Sequence, residues 1–142
     1  MRGRIQDILE ITDARLISGN PEAMFSGVST DSRQLTRGEL FVALSGANFD
    51  GHAFIDEAID RGAAGIVAML PVESAAVPVI QVADTLVALG EIAGGYRRRF
   101  STRVIGITGS TGKTTVKEMV ASIMSLSGPT LKTQKNFNNL IG

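Results

Sequence analysis

Apolar positions along the chain alternate between helical and strand-like spacing. Ile5, Ile8 and Leu9 fall at helical intervals and predict a short opening helix. Strand-like pieces follow around Ala14–Ile17 and Phe25–Thr30. Leu40–Leu44 is a compact apolar run bounded by Gly38 and Gly46, the pattern of a buried strand. After Asp50 and Gly51, the residues Phe54, Ile55, Ala58 and Ile59 mark one face of a helix. Gly62, just beyond Arg61, supplies its C-terminal stop. Gly65–Leu70 and Val77–Val82 read as strands separated by a turn containing Pro71 and Pro78. Asp84 is placed to cap a helix carrying Leu86, Leu89, Ala93 and Tyr96 on one face. Gly94 and Gly95 weaken that helix by roughly 1 kcal/mol each relative to alanine, so a bend or fraying is expected there.

The arginine-rich stretch running to Thr102 reads as a domain boundary, giving one domain over 1–100 and the start of another over 101–142. In the second, Val104–Thr108 predicts a strand, Lys113–Leu126 a helix and Thr130–Thr133 the start of a further strand. Strands alternating with helices place the chain in the α/β class, a mixed α/β N-terminal domain followed by a first βαβ unit. One βαβ unit has too few partners to bury both faces of a parallel sheet, so the expectation is a piece of a longer protein.

Charge narrows the function. Lysine plus arginine and aspartate plus glutamate each total 14, so there is no basic excess of the kind that drives binding to nucleic acid or to a membrane surface. The dense basic run Arg97, Arg98, Arg99 reads as a solvated helix end favoured by the helix dipole, in preference to a phosphate site. The absence of cysteine excludes disulfides, thiolate zinc sites and cysteine nucleophiles. Asp7 and Glu10 interrupt the N-terminal apolar residues, which argues against a signal peptide. The apolar run Ala63–Leu70 is far shorter than the ~20 residues that span a bilayer. A soluble, cytoplasmic protein is expected.

The strongest chemical signal is Gly109-Ser110-Thr111-Gly112-Lys113-Thr114-Thr115, which follows an apolar run and precedes a helix. Glycines let successive N–H groups turn inward on an anion, and the helix adds its positive end at the same point. In such a loop Lys113 reaches the β- and γ-phosphates of ATP, and the Thr114 hydroxyl ligates Mg²⁺. The spacing departs from the general phosphate-loop pattern, whose first glycine would stand at Ile107; Gly109 takes the leading place in a shorter variant.

The segment from Ile107 to Met119 resembles the ATP loop of the Mur ligases, enzymes that build the peptide of bacterial cell-wall precursors. Upstream, Ser29-Thr30-Asp31-Ser32-Arg33, the run Gly38–Leu44 and Phe49-Asp50-Gly51-His52 resemble the substrate-binding N-terminal domain of that family. Asn136-Phe137-Asn138-Asn139-Leu140-Ile141-Gly142 and Lys117-Glu118-Met119 are most similar to the branch that adds D-alanyl-D-alanine. The resemblance implies a UDP-muramoyl-binding domain over 1–100 and the beginning of an ATP-binding central domain over 101–142. It implies an amide-forming ligase that uses ATP and Mg²⁺ to activate the terminal carboxylate of UDP-N-acetylmuramoyl tripeptide as an acyl phosphate. The amine of D-alanyl-D-alanine then displaces phosphate. A monomer is expected.

Carried over by position, the resemblance implies that Gly109 to Thr115 hold the nucleotide, with Lys113 catalytic and Thr114 on the metal. Thr30 and Ser32 would meet the uracil end, faced by a loop of Ala47, Asn48 and Phe49. Arg33 would approach the diphosphate, or else pair with Asp31; Asp31 itself is equally suited to fixing the turn. Asn138 and Asn139 would lie near the muramoyl group, although asparagine also favours turns. His52, the single histidine, reads as structural or as a contact at the substrate's edge. Lys117 and Glu118, adjacent on a helix, point to different faces and do not read as a ready-made pair. The second metal ligands, the modified lysine, the adenine pocket and the C-terminal domain of the family are expected beyond Gly142. The alternatives are the tripeptide-forming branch, a non-catalytic module for a UDP-sugar or nucleotide, and an unrelated phosphate-loop kinase.

Overall fold

The computed structural model describes residues 1–46, 49–72 and 76–133. The chain divides into two compact units, Met1–Phe100 and Ser101–Gly142.

In the first unit, β1 (Gly3–Arg4) leads into α1 (Ile5–Ile11), followed by β2 (Arg15–Ser18), β3 (Met24–Phe25) and β4 (Gly27–Ser29). β5 (Glu39–Val42) is followed by a small hairpin of β6 (Ser45–Gly46) and β7 (Phe49–Asp50), then α2 (Ile55–Asp60), β8 (Gly65–Ala68), β9 (Val79–Gln81) and α3 (Thr85–Arg97). The main sheet has the order β2-β9-β8-β5-β4, with β4, β5, β8 and β9 parallel and β2 antiparallel at one edge. β1 and β3 form a separate antiparallel pair.

Strand residues alternate between two cores, as the two-residue period of a strand requires. Leu40, Val42, Val67 and Ile80 point to the side covered by α1 and α3, where Ile5, Ile8, Ala88 and Ile92 are buried. Phe41, Ala43, Ile66, Ala68 and Val79 point to the other side, covered by Ile55 and Ala58 of α2. A sheet buried on both faces explains why Leu40–Leu44 is apolar without interruption.

The stop after α2 follows the sequence. Gly62 takes φ +87°, its N–H bonds to the Ile59 carbonyl at 2.9 Å, and the Ala63 N–H bonds to the Ala58 carbonyl at 2.9 Å. These are the paired bonds of a Schellman ending, which needs a left-handed residue where glycine stands. Asp84 caps α3, accepting from the Leu86 and Val87 N–H groups at 2.7 and 3.0 Å.

α3 departs from expectation in two respects. Its buried stripe is Thr85, Ala88, Ile92 and Gly95, not Leu86, Leu89, Ala93 and Tyr96. The helix also continues through Gly94 and Gly95 to Arg97. Gly95 serves packing: a Cβ there would lie 2.7 Å from Ile11 Cδ1 and Cγ2. Small residues let α3 approach α1 closely, so the larger leucines flank the contact. The arginine run is partly engaged, because Arg99 pairs with Asp7 of α1 at 3.2 Å. The Asp7 carboxyl is held below its usual range, first by the Arg4 N–H and then by Arg99.

Two glycines of α3 therefore predict opposite responses. At Gly90 an added Cβ meets nothing within 4 Å. Gly90→Ala is expected to stabilise the chain by about 0.5–1 kcal/mol through helix propensity alone. Gly95→Ala gains the same propensity but drives a methyl into Ile11, at an overpacking cost of about 1–3 kcal/mol. Urea denaturation should place its midpoint below that of Gly90→Ala; the reverse order would mean that α1 and α3 are not in close contact.

The second unit has a different character. α4 (Lys113–Ser125) is present, but no strand forms among described residues 101–133, so Val104–Thr108 and Thr130–Thr133 are not the strands expected. An apolar segment becomes a strand only when a neighbour supplies the ladder. Here Val104 and Ile105 are exposed, as are Val116, Met119 and Ile123 along α4.

Candidate functional site

The loop from Gly109 to Thr115 is built by backbone geometry. Gly109 has φ +148° and Gly112 φ +75°, values that L side chains rarely adopt. At Gly112 an added Cβ would meet nothing within 4 Å, so the glycine answers to the backbone angle and not to crowding. Gly112 is also the N-cap of α4 and offers no side chain to its first turn. The helix thus begins with N–H donors and a positive dipole end that no capping side chain covers from that position. Lys113, the first helical residue, folds its ammonium back on the loop, donating to the Gly109 carbonyl and, at 3.5 Å, to the Ser110 carbonyl. A glycine-shaped loop, a helix N-terminus and a lysine within one turn make a donor set suited to a polyphosphate. Ser110, Thr111, Thr114 and Thr115 are exposed around it.

Lys117 and Glu118 correct an expectation. They pair with each other at 3.6 Å, Glu118 also pairs with Lys132, and Lys117 donates to the Thr133 carbonyl at 2.8 Å. Their stems are long enough to reach round the helix, which the angular separation of adjacent positions does not capture.

In the first unit, Thr30, Ser32 and Arg33 lie on the turn that leaves β4, and Phe49 lies on the hairpin that leaves β5. Both segments extend from the carboxyl ends of adjacent parallel strands, the edge where open α/β sheets bind ligands. Asp31 organises the turn. Its carboxylate accepts from the Arg33 N–H at 3.0 Å and takes Arg33 Nε and Nη2 at 2.9 Å each. The side-chain bonds from Arg33 are the chief reason the Asp31 carboxyl is lowered to about 2. A carboxyl lowered on folding stabilises the native state above its unfolded value. That contribution is lost as pH falls through about 2, so this turn is fully fastened at neutral pH. Arg33 is thus paired with Asp31, one of the two roles open to it from sequence.

Ser32 is buried and donates its hydroxyl to Glu57 at 2.9 Å. Glu57 also takes Arg61 at 3.0 Å, and Arg61 donates to the Arg33 carbonyl at 3.0 Å. α2 thereby braces the turn through Glu57 and Arg61, neither of which has a sequence signature for that task. Thr30 is half-buried, and Phe49 is exposed with its ring stacked on Phe54 at 5.5 Å. Ala47, Asn48, Asn138 and Asn139 lie outside the described residues.

His52 is structural. Its side chain is only 9% exposed; Nδ1 is 2.6 Å from Asp50 Oδ1, and Nε2 faces the Met69 and Leu70 N–H groups at 3.0 and 3.4 Å. Because backbone N–H groups only donate, Nε2 accepts, and Nδ1 carries the proton given to Asp50. Asp50 accepts from the His52 backbone N–H as well, and together these bonds hold its carboxyl below the usual range. No group of metal-ligating side chains occurs among the described residues, and no helix among them is long and apolar enough to cross a membrane.

The model of the Mur ligase family catalytic domain matches residues 24–97, and that of the Mur ligase middle domain matches 107–142. The UDP-N-acetylmuramoyl-tripeptide--D-alanyl-D-alanine ligase of Synechocystis is 44% identical over 140 residues, 97% of this chain and 31% of that protein. Among solved structures, the UDP-N-acetylmuramoylalanyl-D-glutamyl-2,6-diaminopimelate--D-alanyl-D-alanyl ligase of Acinetobacter baumannii superposes with TM-score 0.91 at 34% identity, over 99% of this chain and 32% of that one. The MurF ligase of Thermotoga maritima, solved in complex with ADP, superposes with TM-score 0.71 at 37% identity, over 78% of this chain and 26% of that one. The chain spans about a third of the length of the relatives it matches. With the matched models together reaching from residue 24 to residue 142, the chain belongs to the Mur ligase family.

Proposed function

We propose that the chain is the N-terminal part of an ATP-dependent ligase that joins D-alanyl-D-alanine to UDP-N-acetylmuramoyl tripeptide, working as a monomer in the cytoplasm. The observation that carries this reading is that similarity to D-alanyl-D-alanine ligases runs through both units of the chain and not through the phosphate loop alone. Residues 1–100 hold the UDP end of the precursor, through Thr30 and Ser32 on one segment and Ala47, Asn48 and Phe49 on the other. Residues 101–142 open the nucleotide-binding domain, with Asn138 and Asn139 toward the muramoyl group.

Bound ATP would supply the phosphoryl group that makes the tripeptide carboxylate reactive, and Mg²⁺, with Thr114 as the residue that would hold it, would supply charge neutralisation. The protein's own task is positional and electrostatic. The N–H groups of Gly109 to Thr115 would hold the phosphates, and Lys113, which now donates to its loop carbonyls, would meet the charge that develops on the transferring oxygens. Arg33, fastened to Asp31, keeps a guanidinium face near the uridine turn.

An NMR titration of the 142-residue chain tests the division of labour. UDP is expected to shift the amide signals of Ser32, Phe49 and their neighbours, and ADP with Mg²⁺ those of Gly109 to Thr115. Shifts from UDP confined to Gly109–Thr115 would reject the placement of the uridine site.

A further inference from the structure

Three features of the molecule stand outside the functions already assigned: the apolar face of α4, the ionic cluster of Lys117, Glu118 and Lys132, and the half-buried His52. Only the histidine joins two segments at the ligand-binding edge of the sheet. The hairpin of β6 and β7 leaves β5, and its base closes on that strand through the Gly51 N–H bonded to the Leu44 carbonyl at 2.7 Å. There is no room for a side chain at that closure, because a Cβ on Gly51 would lie 2.7 Å from the Leu44 carbonyl oxygen. His52 follows directly. One ring nitrogen holds Asp50, the last residue of the hairpin, and the other holds the chain where it leaves β8 at Met69 and Leu70. β5 and β8 are adjacent and parallel. The imidazole therefore ties together the extensions of two neighbouring strands beyond their carboxyl ends. Met69 is held from its other side as well, since its carbonyl accepts from Gln81 Nε2 of β9 at 3.3 Å.

We propose that His52 is a positioning residue for uridine-nucleotide binding, fixing the hairpin that presents Phe49 by accepting the Met69 N–H. The proposal rests on the placement of the uridine end given above. Its distinctive claim is that the acceptor at Nε2 matters more than the donor at Nδ1. Phe49 is 52% exposed, and its ring stacks on Phe54, which is itself 37% exposed. Its ring is thus held by where the hairpin base sits, and that base is tied to β8 through Nε2.

Two substitutions separate the arms. Glutamine reaches about as far as Nε2 and offers an oxygen there, so His52→Gln keeps the bond from Met69. Asparagine reaches only as far as Nδ1, so His52→Asn keeps a donor to Asp50 and loses the acceptor. UDP binding to the 142-residue chain is expected to stay within about threefold of the original for His52→Gln and to weaken by about tenfold for His52→Asn. ADP binding is expected to be the same in all three proteins. The amide exchange of Met69, measured without nucleotide, should accelerate by about tenfold in His52→Asn and not in His52→Gln. Loss of Met69 protection with unchanged UDP affinity would overturn the positioning role while leaving the uridine site intact. Unchanged Met69 protection in His52→Asn would overturn the tie itself. Failure of UDP to perturb residues 29–33 or 49–54 in the original chain would overturn both this inference and the site on which it rests.

Discussion

Lys113→Ala is expected to lower ligase turnover by at least about 100-fold, as loss of a charge-stabilising donor does in comparable sites. The natural setting for the test is a chimera in which this chain replaces the matching N-terminal part of the Synechocystis ligase. The magnitude follows from where the lysine stands. It is the first residue of α4, directly after Gly112, so under the proposed function its ammonium and the helix's positive end would act on the same phosphate oxygens. Its present partners are two carbonyls of its own loop, which makes the ammonium easy to redirect: neutral acceptors are exchanged for charged ones. The lost interaction belongs to the transition state more than to the bound nucleotide, so kcat and kcat/KM should fall together while KM for ATP changes little. Lys113→Arg should recover little, since a planar guanidinium does not reproduce a compact ammonium. Circular dichroism must match that of the parent chimera, so that misfolding is not read as lost chemistry. Turnover of Lys113→Ala within about threefold of the parent would sink the assignment.

Much of this arrangement was readable from residues alone, and what was not has definite causes. Asp84 as a cap and Gly62 as a stop are local signals, decided by one side chain or one backbone angle, and both stand as read. The strand at Leu40–Leu44 was legible because a sheet covered on both faces leaves an unbroken apolar run. Hydrophobicity alone favours Leu86 and Leu89 as the buried face of α3, whereas close helix contact favours the small Ala88 and Gly95. Val104–Thr108 has the composition of a strand, but pairing is a property of two segments and cannot be carried by one. The role of His52 was half legible. Its bond to Asp50 is two residues away in sequence, while its bond to Met69 spans 17 and depends on β5 and β8 lying side by side. The bracing of Ser32 by Glu57 spans 25 residues and was invisible for the same reason.

Phe41→Ala is expected to cost about 3–5 kcal/mol of stability, the range for removing a buried aromatic ring. The whole stability of a domain of this size is about 5–15 kcal/mol, so a large share of the chain would be unfolded in mild denaturant. Phe41 is 1% exposed on β5, between β4 and β8, and its side chain enters the core beneath α2 with Leu35, Ile55, Ala58 and Ile66. Those neighbours belong to the end of the turn that leaves β4, to α2 and to β8, so no single element can move to fill the space. A cavity that cannot collapse keeps nearly its full cost. The same loss should reach function, because the turn carrying Thr30 and Ser32 is braced by Glu57 and Arg61 on and beside α2, the helix that loses its packing partner. Leu131→Ala supplies the contrast: that side chain is 99% exposed, and its removal should change stability by no more than about 0.5 kcal/mol. Urea denaturation of the 142-residue chain measures both. A cost for Phe41→Ala below about 1 kcal/mol would mean that the strand does not bury this face against α2 and that α2 is not the support of the turn carrying Thr30 and Ser32.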